Sequence, residues 1–337
     1  MANMIDQYIN VKDESVYGTA VAANRSVDFN SEDFKGDYSN VIIASGLRAG
    51  EYAPNAKRVA RNPKGATGSL EINGANQGVA FWFKHMLGNY TLGTTTSGVT
   101  THTCKTGDTK GKSFTLQKNM VGSDGIAYTK TYQGVKVVGW EISNSVDEYM
   151  KIKLDLDGQK ETLGAGAGPL ASQAKNFGNS DNLKEFKFYE GVVNVGGSQV
   201  SVSEISIKGK KNLAAERYFL GTQLKKEPIQ NGQDEITTEF KMEFEDLTQE
   251  QRVASALESG AQVSVSVTWT ATEPEAGGGV SSITLTMPVV SLVDAPSSID
   301  VGKLAEQSLT GNVLWPGSGQ GDNMLTATIV TPDATAV

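Results

Sequence analysis

The sequence predicts a mainly β protein made of two consecutive units of one design, each a set of short strands with one short helix. Three observations predict it. Val, Thr and Ser recur in short alternating runs punctuated by 37 glycines in 337 residues, the pattern of strands joined by tight turns. Two stretches, Val79–Leu87 and Thr248–Glu258, change to the helical period, and each stops at a glycine, Gly88 and Gly260. Finally, the order of elements repeats. Gly68–Ile72 (GSLEI) precedes the first helix as Glu235–Phe244 (EITTEFKMEF) precedes the second. Ser113–Leu116 (SFTL) follows the first as Ser282–Leu285 (SITL) follows the second, and later segments reach Gly158 and Gly311. The spacing between matched elements falls from roughly 170 to about 150 residues, as it does when loops differ between repeats.

Residues 1–30 read as an arm or edge strand. The stretch Phe34–Lys64 is long, irregular and basic, an exposed loop or extended hairpin. In the first helix Val79, Phe83, Met86 and Leu87 fall on one face. Gly122–Gly125 is the turn of a hairpin that brings Ser113–Gln117 against Tyr128–Gly134, followed by strands at Val135–Ser143 and Met150–Leu156. Periodicity then lapses, and residues 161–182 read as a linker between residues 1–160 and 183–337. In the second unit, strands are expected at Phe186–Tyr189, Val200–Lys208 and Tyr218–Leu224. Its helix is expected to open on a capping box, Thr248–Gln251, and to bury Val253, Ala254 and Leu257. Ala271–Ser282 reads as a flexible loop.

A net charge of −8 and a pI near 5.0 argue against a groove that grips nucleic acid, though not against a surface that nucleic acid slides past. No apolar run approaches the ~20 residues of a membrane helix, and the start lacks a secretory pattern. A single cysteine, Cys104, fits assembly in a reducing cytoplasm. Chemistry-bearing clusters are sparse. His85 sits in the helix beside Met86 with no partner base or nucleophile nearby in sequence, and His102-x-Cys104 reads as strand alternation. GAGAG at Gly164–Gly168 lacks the strand-to-helix setting of a phosphate loop. Glu239 and Glu243 share one parity of their strand, opposite Phe240 and Met242, so one face is apolar and packed and the other charged and wet. Arg48, Lys57, Arg58, Arg61 and Lys64 make the long loop basic in an acidic chain, a charge suited to an acidic neighbour. Trp82, Trp140, Trp269 and Trp315 all read as core.

Several segments, in order, resemble the tail tube (major tail) proteins of long-tailed bacteriophages. They are Glu14–Ala20 (ESVYGTA), Ser45–Arg48 (SGLR), Gly68–Glu71 (GSLE), the helix ending Met86-Leu-Gly88 and Thr101–Thr103 (THT), then Tyr132–Val137 (YQGVKV) and Leu154–Gly158 (LDLDG). The resemblance implies two tandem tail-tube-type β-sandwich or barrel domains, each with a short flanking α-helix: residues 1–160, with an N-terminal arm and a basic loop at 45–64, and residues 183–337. It implies self-assembly into stacked rings around a channel for DNA, with no catalytic residue, cofactor or metal. The basic loop (Arg48, Lys57, Arg58, Arg61) would meet the next ring, and Glu239 and Glu243 would face an acidic lumen. Implied partners are the chain itself, the tape measure protein, and the tail tip and tail terminator proteins. DNA would pass without specific binding, no membrane would be involved, and assembly would take place in the host cytoplasm.

If one ring needs six tube domains, two fused domains call for three chains, a trimer with pseudo-sixfold symmetry. One larger domain per subunit in a hexamer is the alternative. Two other classes compete: a secreted β-rich module binding carbohydrate or protein, which lacks a clustered aromatic platform here, and a hydrolase built on acidic pairs.

Overall fold

Alternation decides which way every strand faces, and the faces build two kinds of sheet. The computed structural model describes residues 6–39, 41–43, 46, 49–50, 52–62, 65–164, 168–178, 182–298, 305–317 and 323–336. The first half opens with β1 (Tyr8–Asp13), β2 (Arg25–Val27), β3 (Ser31–Glu32) and β4 (Lys35–Gly36). A hairpin of β5 (Val41–Ile43) and β6 (Val59–Arg61) leads to β7 (Ala66–Asn73) and α1 (Val79–Leu87). Then come β8 (Gly88–Thr96), β9 (Val99–Thr106), β10 (Phe114–Val121), β11 (Ala127–Ser145), β12 (Lys151–Gly158) and β13 (Lys160–Leu163). The second half runs β14 (Gly191–Val195), β15 (Ser198–Val200) and β16 (Val202–Lys210), then a short hairpin of β17 (Leu213–Ala214) and β18 (Ile229–Gln230). It continues with β19 (Glu235–Glu243), α2 (Thr248–Ser259), β20 (Val263–Thr270), β21 (Ser282–Asp294), β22 (Ser297–Ser298), β23 (Glu306–Val313) and β24 (Thr326–Thr331).

In the first half one sheet runs β2–β1–β10–β11–β13. The other runs β3/β4–β7–β12–β11. The long β11 serves both, changing partner from β10 to β12 just past Gly134, whose φ of 63° is open to glycine. In the second half the corresponding sheets are β15–β14–β20–β21–β24 and β16–β19–β23–β21. The match extends to register. Leu70 faces Leu154 as Phe240 faces Leu309, and Ile9 lies between Val27 and Lys118 as Val193 lies between Val200 and Val267. The β10–β11 pair is irregular between Phe114 and Leu116, and the β20–β21 pair between Val263 and Val265. The β11–β12 pair shifts between Val137 and Gly139, and the β21–β23 pair between Leu292 and Asp294.

The halves are joined by strand pairing. The end of β11 pairs with β16, from Gly139↔Lys210 to Ser145↔Glu204, and β9 pairs with β24. The second sheets therefore fuse into one wall ordered β3/β4, β7, β12, β11, β16, β19, β23, β21. One hydrophobic core runs through both halves, from Ile9 to Ala336, with Phe83, Phe114, Tyr132, Trp269 and Ile207 fully enclosed.

Several expectations need correction. The SFTL and SITL segments are not counterparts: Phe114–Leu116 begins β10, whereas Ser282–Leu285 begins β21, the counterpart of β11. A four-residue alternating pattern suits any strand, so the likeness carried no register. Phe186–Tyr189 is an isolated bridge and a 3₁₀ turn ahead of β14, and Tyr218–Leu224 is irregular. Within the expected linker, Lys160–Leu163 is a strand on β11, and Gln173 and Ala174 carbonyls accept from Tyr8 and Asn10. Trp315 is 56% exposed, while the other three tryptophans are core. Its segment follows the end of β23 and lies at the rim of the sheet, where alternation no longer fixes a buried side.

The two helices also differ. All of α1 except Lys84 is buried, because β8, β9 and β11 surround it and Phe81 and Trp82 meet Phe114 edge-on. In α2 only Gln249 and Val253 are buried; Ala254 is exposed and Leu257 is 78% exposed, as the second half has no hairpin matching β8–β9 to cover it. Its first turn is held by Asp246, whose carboxylate accepts from the Thr248 N–H at 2.7 Å, in place of the expected capping box.

Candidate assembly surfaces

The wall strands turn Leu70, Ile142, Leu154, Ile207, Phe240 and Leu309 into the core, so by alternation the residues between them form an outer face. Ser31, Glu71, Lys153, Glu141, Lys208, Thr237, Asn312 and Ser291 line up there as one cross-strand row over the whole wall. A second row passes through Asn73, Lys151, Ser143, Ser206, Glu239, Thr310 and Asp294. Glu239 is half-buried in it. Glu243 is exposed and directly opposite Glu306 at the end of β19. Lysines lace the face: Lys208 lies 3.4 Å from Glu141, and Lys241 pairs with Glu204. Carboxylates outnumber lysines on it, but the surface is a mixed one.

Among the described residues, the wall ends at two strands that have no wall partner on their outer side, β3/β4 and the end of β21 with β22. Open edges of this kind pair with whatever strand is offered.

Two arms leave the wall at matched places, one after β4 and one after β16. The second, Lys211–Asp234, lies down on the first half. Lys225 forms a buried ion pair with Asp157, and Lys136 reaches Glu227 at 2.8 Å. Burial raises the Asp157 pKa above the ordinary carboxylate value, against the pull of Lys225. Burial likewise lowers Lys136, against the pull of Glu227. Both shifts mark charges removed from water and kept by their partners. The first arm carries the β5–β6 hairpin. Lys57, Arg58 and Arg61 are exposed on it, and Arg58 Nη1 donates to the Gly46 carbonyl at 2.9 Å. Arg48 and Lys64 lie outside the described residues. The structure thus gathers Lys57, Arg58 and Arg61 on one projection, while Glu239 and Glu243 lie on the wall. The sequence places a shorter counterpart of the basic loop at Leu224–Gly232 (LKKEPIQNG); in the structure that segment is part of a longer second arm, whose charges are buried in ion pairs.

The histidines are structural. His85 is buried and its Nε2 lies 2.7 Å from Asp13, which Lys84 also meets. Its Nδ1 has no hydrogen-bond partner, so a neutral ring with the proton on Nε2 satisfies the site, and burial lowers its pKa accordingly. His102 bridges the Tyr90 hydroxyl and the Asp333 carbonyl, each at 2.9 Å. Among the described residues no cluster of three or more His, Cys, Asp or Glu could hold a metal ion, and no helix is long and apolar enough to cross a membrane.

A family model described as phage tail tube protein matches residues 5–313, which takes in both arms and all eight positions of the wall. The chain belongs to the phage tail tube protein family. It is accordingly a structural component of the phage tail, from a family whose members associate into a tube. No curated protein sequence matches it.

Proposed function

We propose that three chains close into a pseudo-sixfold ring and that the rings stack into the hollow tail tube through which phage DNA passes during ejection into the host. The observation that carries this reading is the wall. Two four-strand sets with matching register meet edge to edge at β11 and β16 inside the chain, and the same two kinds of edge stay open at its ends. Repeating the internal junction between chains gives a heterologous contact, which closes if the rotation does. Each half then acts as one tube domain, residues 1–160 and 183–337, with 161–182 between them. The outer wall face with Glu239 and Glu243 lines the lumen, where an excess of carboxylates keeps DNA from adhering. The basic arm bearing Arg48, Lys57, Arg58 and Arg61 meets the acidic surface of the next ring. The tape measure protein would occupy the lumen during assembly in the host cytoplasm, with tip and terminator proteins at the ends. None of these roles calls on a catalytic group.

Electron microscopy of the purified chain, alone and with tail-tip components, tests this. Hollow rings or tubes whose mass per ring equals three chains are expected. Rings of six chains would refute the fused-domain stoichiometry, and compact monomers under both conditions would refute the tube.

A further inference from the structure

We infer that the β5–β6 arm of one chain docks in an open apolar groove on the second half of its neighbour in the same ring, against Ile236, Val313, Leu314 and Trp315. This rests on the trimeric-ring reading above. Its template lies inside the chain. Where β16 ends, the Lys211 N–H donates to the Val138 carbonyl at 2.8 Å and the second arm begins. That arm covers the ends of β7 and β12. Lys225 reaches Asp157, its carbonyl accepts from Gln159 Nε2 at 2.8 Å, and its side chain passes beside Gly65.

The matched registers carry each of these positions to the second half. Ala66 corresponds to Ile236, Asp157 to Asn312, Gly158 to Val313 and Gln159 to Leu314. Among the described residues, the only arm segment that borders them there is the end of the second arm, Gln230, Gln233 and Asp234. Ile236, Asn312, Val313 and Leu314 line a groove of about 680 Å³ in which Leu314 is 37% and Trp315 56% exposed. An arm that fills it in the manner of the template must be rooted beside β21. The chain's own first arm is rooted on β4, at the opposite end of the wall. The occupant is therefore a second copy of the chain, brought alongside by ring closure.

The chemistry agrees. Within the chain a charged arm meets charged acceptors, Lys225 on Asp157 and Glu227 on Lys136. The first arm instead exposes Val41, Ile42, Ile43 and Val59, and the groove exposes Leu314 and Trp315, with the buried Ile236 and Val313 also in its lining. Both sides gain exposed apolar side chains at these positions, Leu314 and Trp315 on a groove rimmed by Asp108, Asp234 and Glu235. Apolar surface of this kind on a projecting hairpin is otherwise a liability.

The wild-type chain gives a first test. Trp315 is the single tryptophan of four in contact with water, so assembly should shift tryptophan emission to the blue. Rings that form with no shift would overturn the docking. The second test joins Ile42→Cys with Trp315→Cys in the full chain and treats assembled particles with a short bismaleimide. Cys104 is buried, its thiol pushed up to about 12, and stays silent. Bands of two and three linked chains, and none larger, are expected, with neither single variant linked. Ladders beyond three would place the arm in another ring, and intact rings with no linked bands would place it elsewhere; either overturns the docking and leaves the tube reading standing. A wild-type chain that forms no ring defeats both.

Discussion

The arm at Lys211–Asp234 and the arm that carries β5 and β6 leave matched wall strands and return to matched wall strands, yet one is seated and the other bare. The seated arm holds ion pairs in its contact with the first half, while the bare arm shows valine and isoleucine to solvent. A contact made within one chain can use buried charge, because chain connectivity brings the partners together and the pairs fix one geometry. Burying a pair contributes little net stability, but separating its members is costly. A contact that must drive association between chains draws more from apolar area, at roughly 25 cal/mol per Å². The difference between the arms thus separates what folds the subunit from what assembles it.

The largest expected effect comes from breaking the seated arm. Lys225→Met leaves the Asp157 carboxylate buried without its counter-charge and should cost about 3–5 kcal/mol at neutral pH, read by urea unfolding. The loss should shrink in acid. Burial already raises the Asp157 pKa, and removing Lys225 takes away the main influence that lowers it. A carboxyl with a folded pKa above its unfolded value of about 3.9 binds its proton first in the folded state, so stability recovers as pH falls through the folded pKa. A deficit independent of pH would mean that the arm, not the charge, was lost. Ile42→Asp on the bare arm sharpens the contrast: the monomer should stay within about 0.5 kcal/mol of wild type, because Ile42 already faces water.

A smaller effect separates the two matched wall edges. Gly209 in β16 lies under the Trp140 ring, and a Cβ there would stand 2.1 Å from the indole. The ring belongs to the junction between halves and has no room to withdraw, so Gly209→Ala should cost about 1–3 kcal/mol. At its counterpart Gly36 in β4 the nearest atoms to such a Cβ belong to the Glu161 carboxylate and the Tyr38 ring edge, side-chain ends that can swing away. Gly36→Ala should leave thermal unfolding of the monomer within about 0.5 kcal/mol of wild type. Equal losses at the two glycines would show that the edge strand β4 is already packed like an internal junction, which would remove it as an open edge.

Much of this was legible in the residues, and the failures have physical causes. Both helices were readable because a change of period with a terminal glycine is a local signal, and the α1 bounds agree with the reading. The wall strands were readable because one face is buried, which fixes the parity of Leu70, Phe240 and Leu309. Pairing partners were not: SFTL and SITL look alike since alternation alone carries no register. Trp315 was misassigned because burial beyond a strand end depends on what else arrives there. The exposure of Leu257 was equally invisible, since the stripe on α2 is real and only the covering hairpin is missing. For the candidate surfaces, the parity of Glu239 and Glu243 could be read from one strand, whereas the lysines that lace the same face come from β12, β16 and the strand itself, side by side only after folding.

The smallest effect on the subunit concerns the basic tip of the bare arm, and it tests whether that arm has two duties. Arg58 and Arg61 are exposed, and the one hydrogen bond from Arg58 to the Gly46 carbonyl lies at the surface. Arg58→Glu with Arg61→Glu should therefore move unfolding of the monomer by no more than about 0.5 kcal/mol. If the apolar strands of the arm serve the ring while its basic tip serves the next ring, mass measurements should find rings unchanged and microscopy should find tubes shortened. The wild type should show the same shortening as salt rises, since at 1 M the screening length falls to about 3 Å. Normal-length tubes from the double variant would remove the electrostatic duty and leave the arm with the apolar one. Rings lost together with tubes would place the two arginines inside the ring contact, where the groove beside Trp315 would have to accommodate charge.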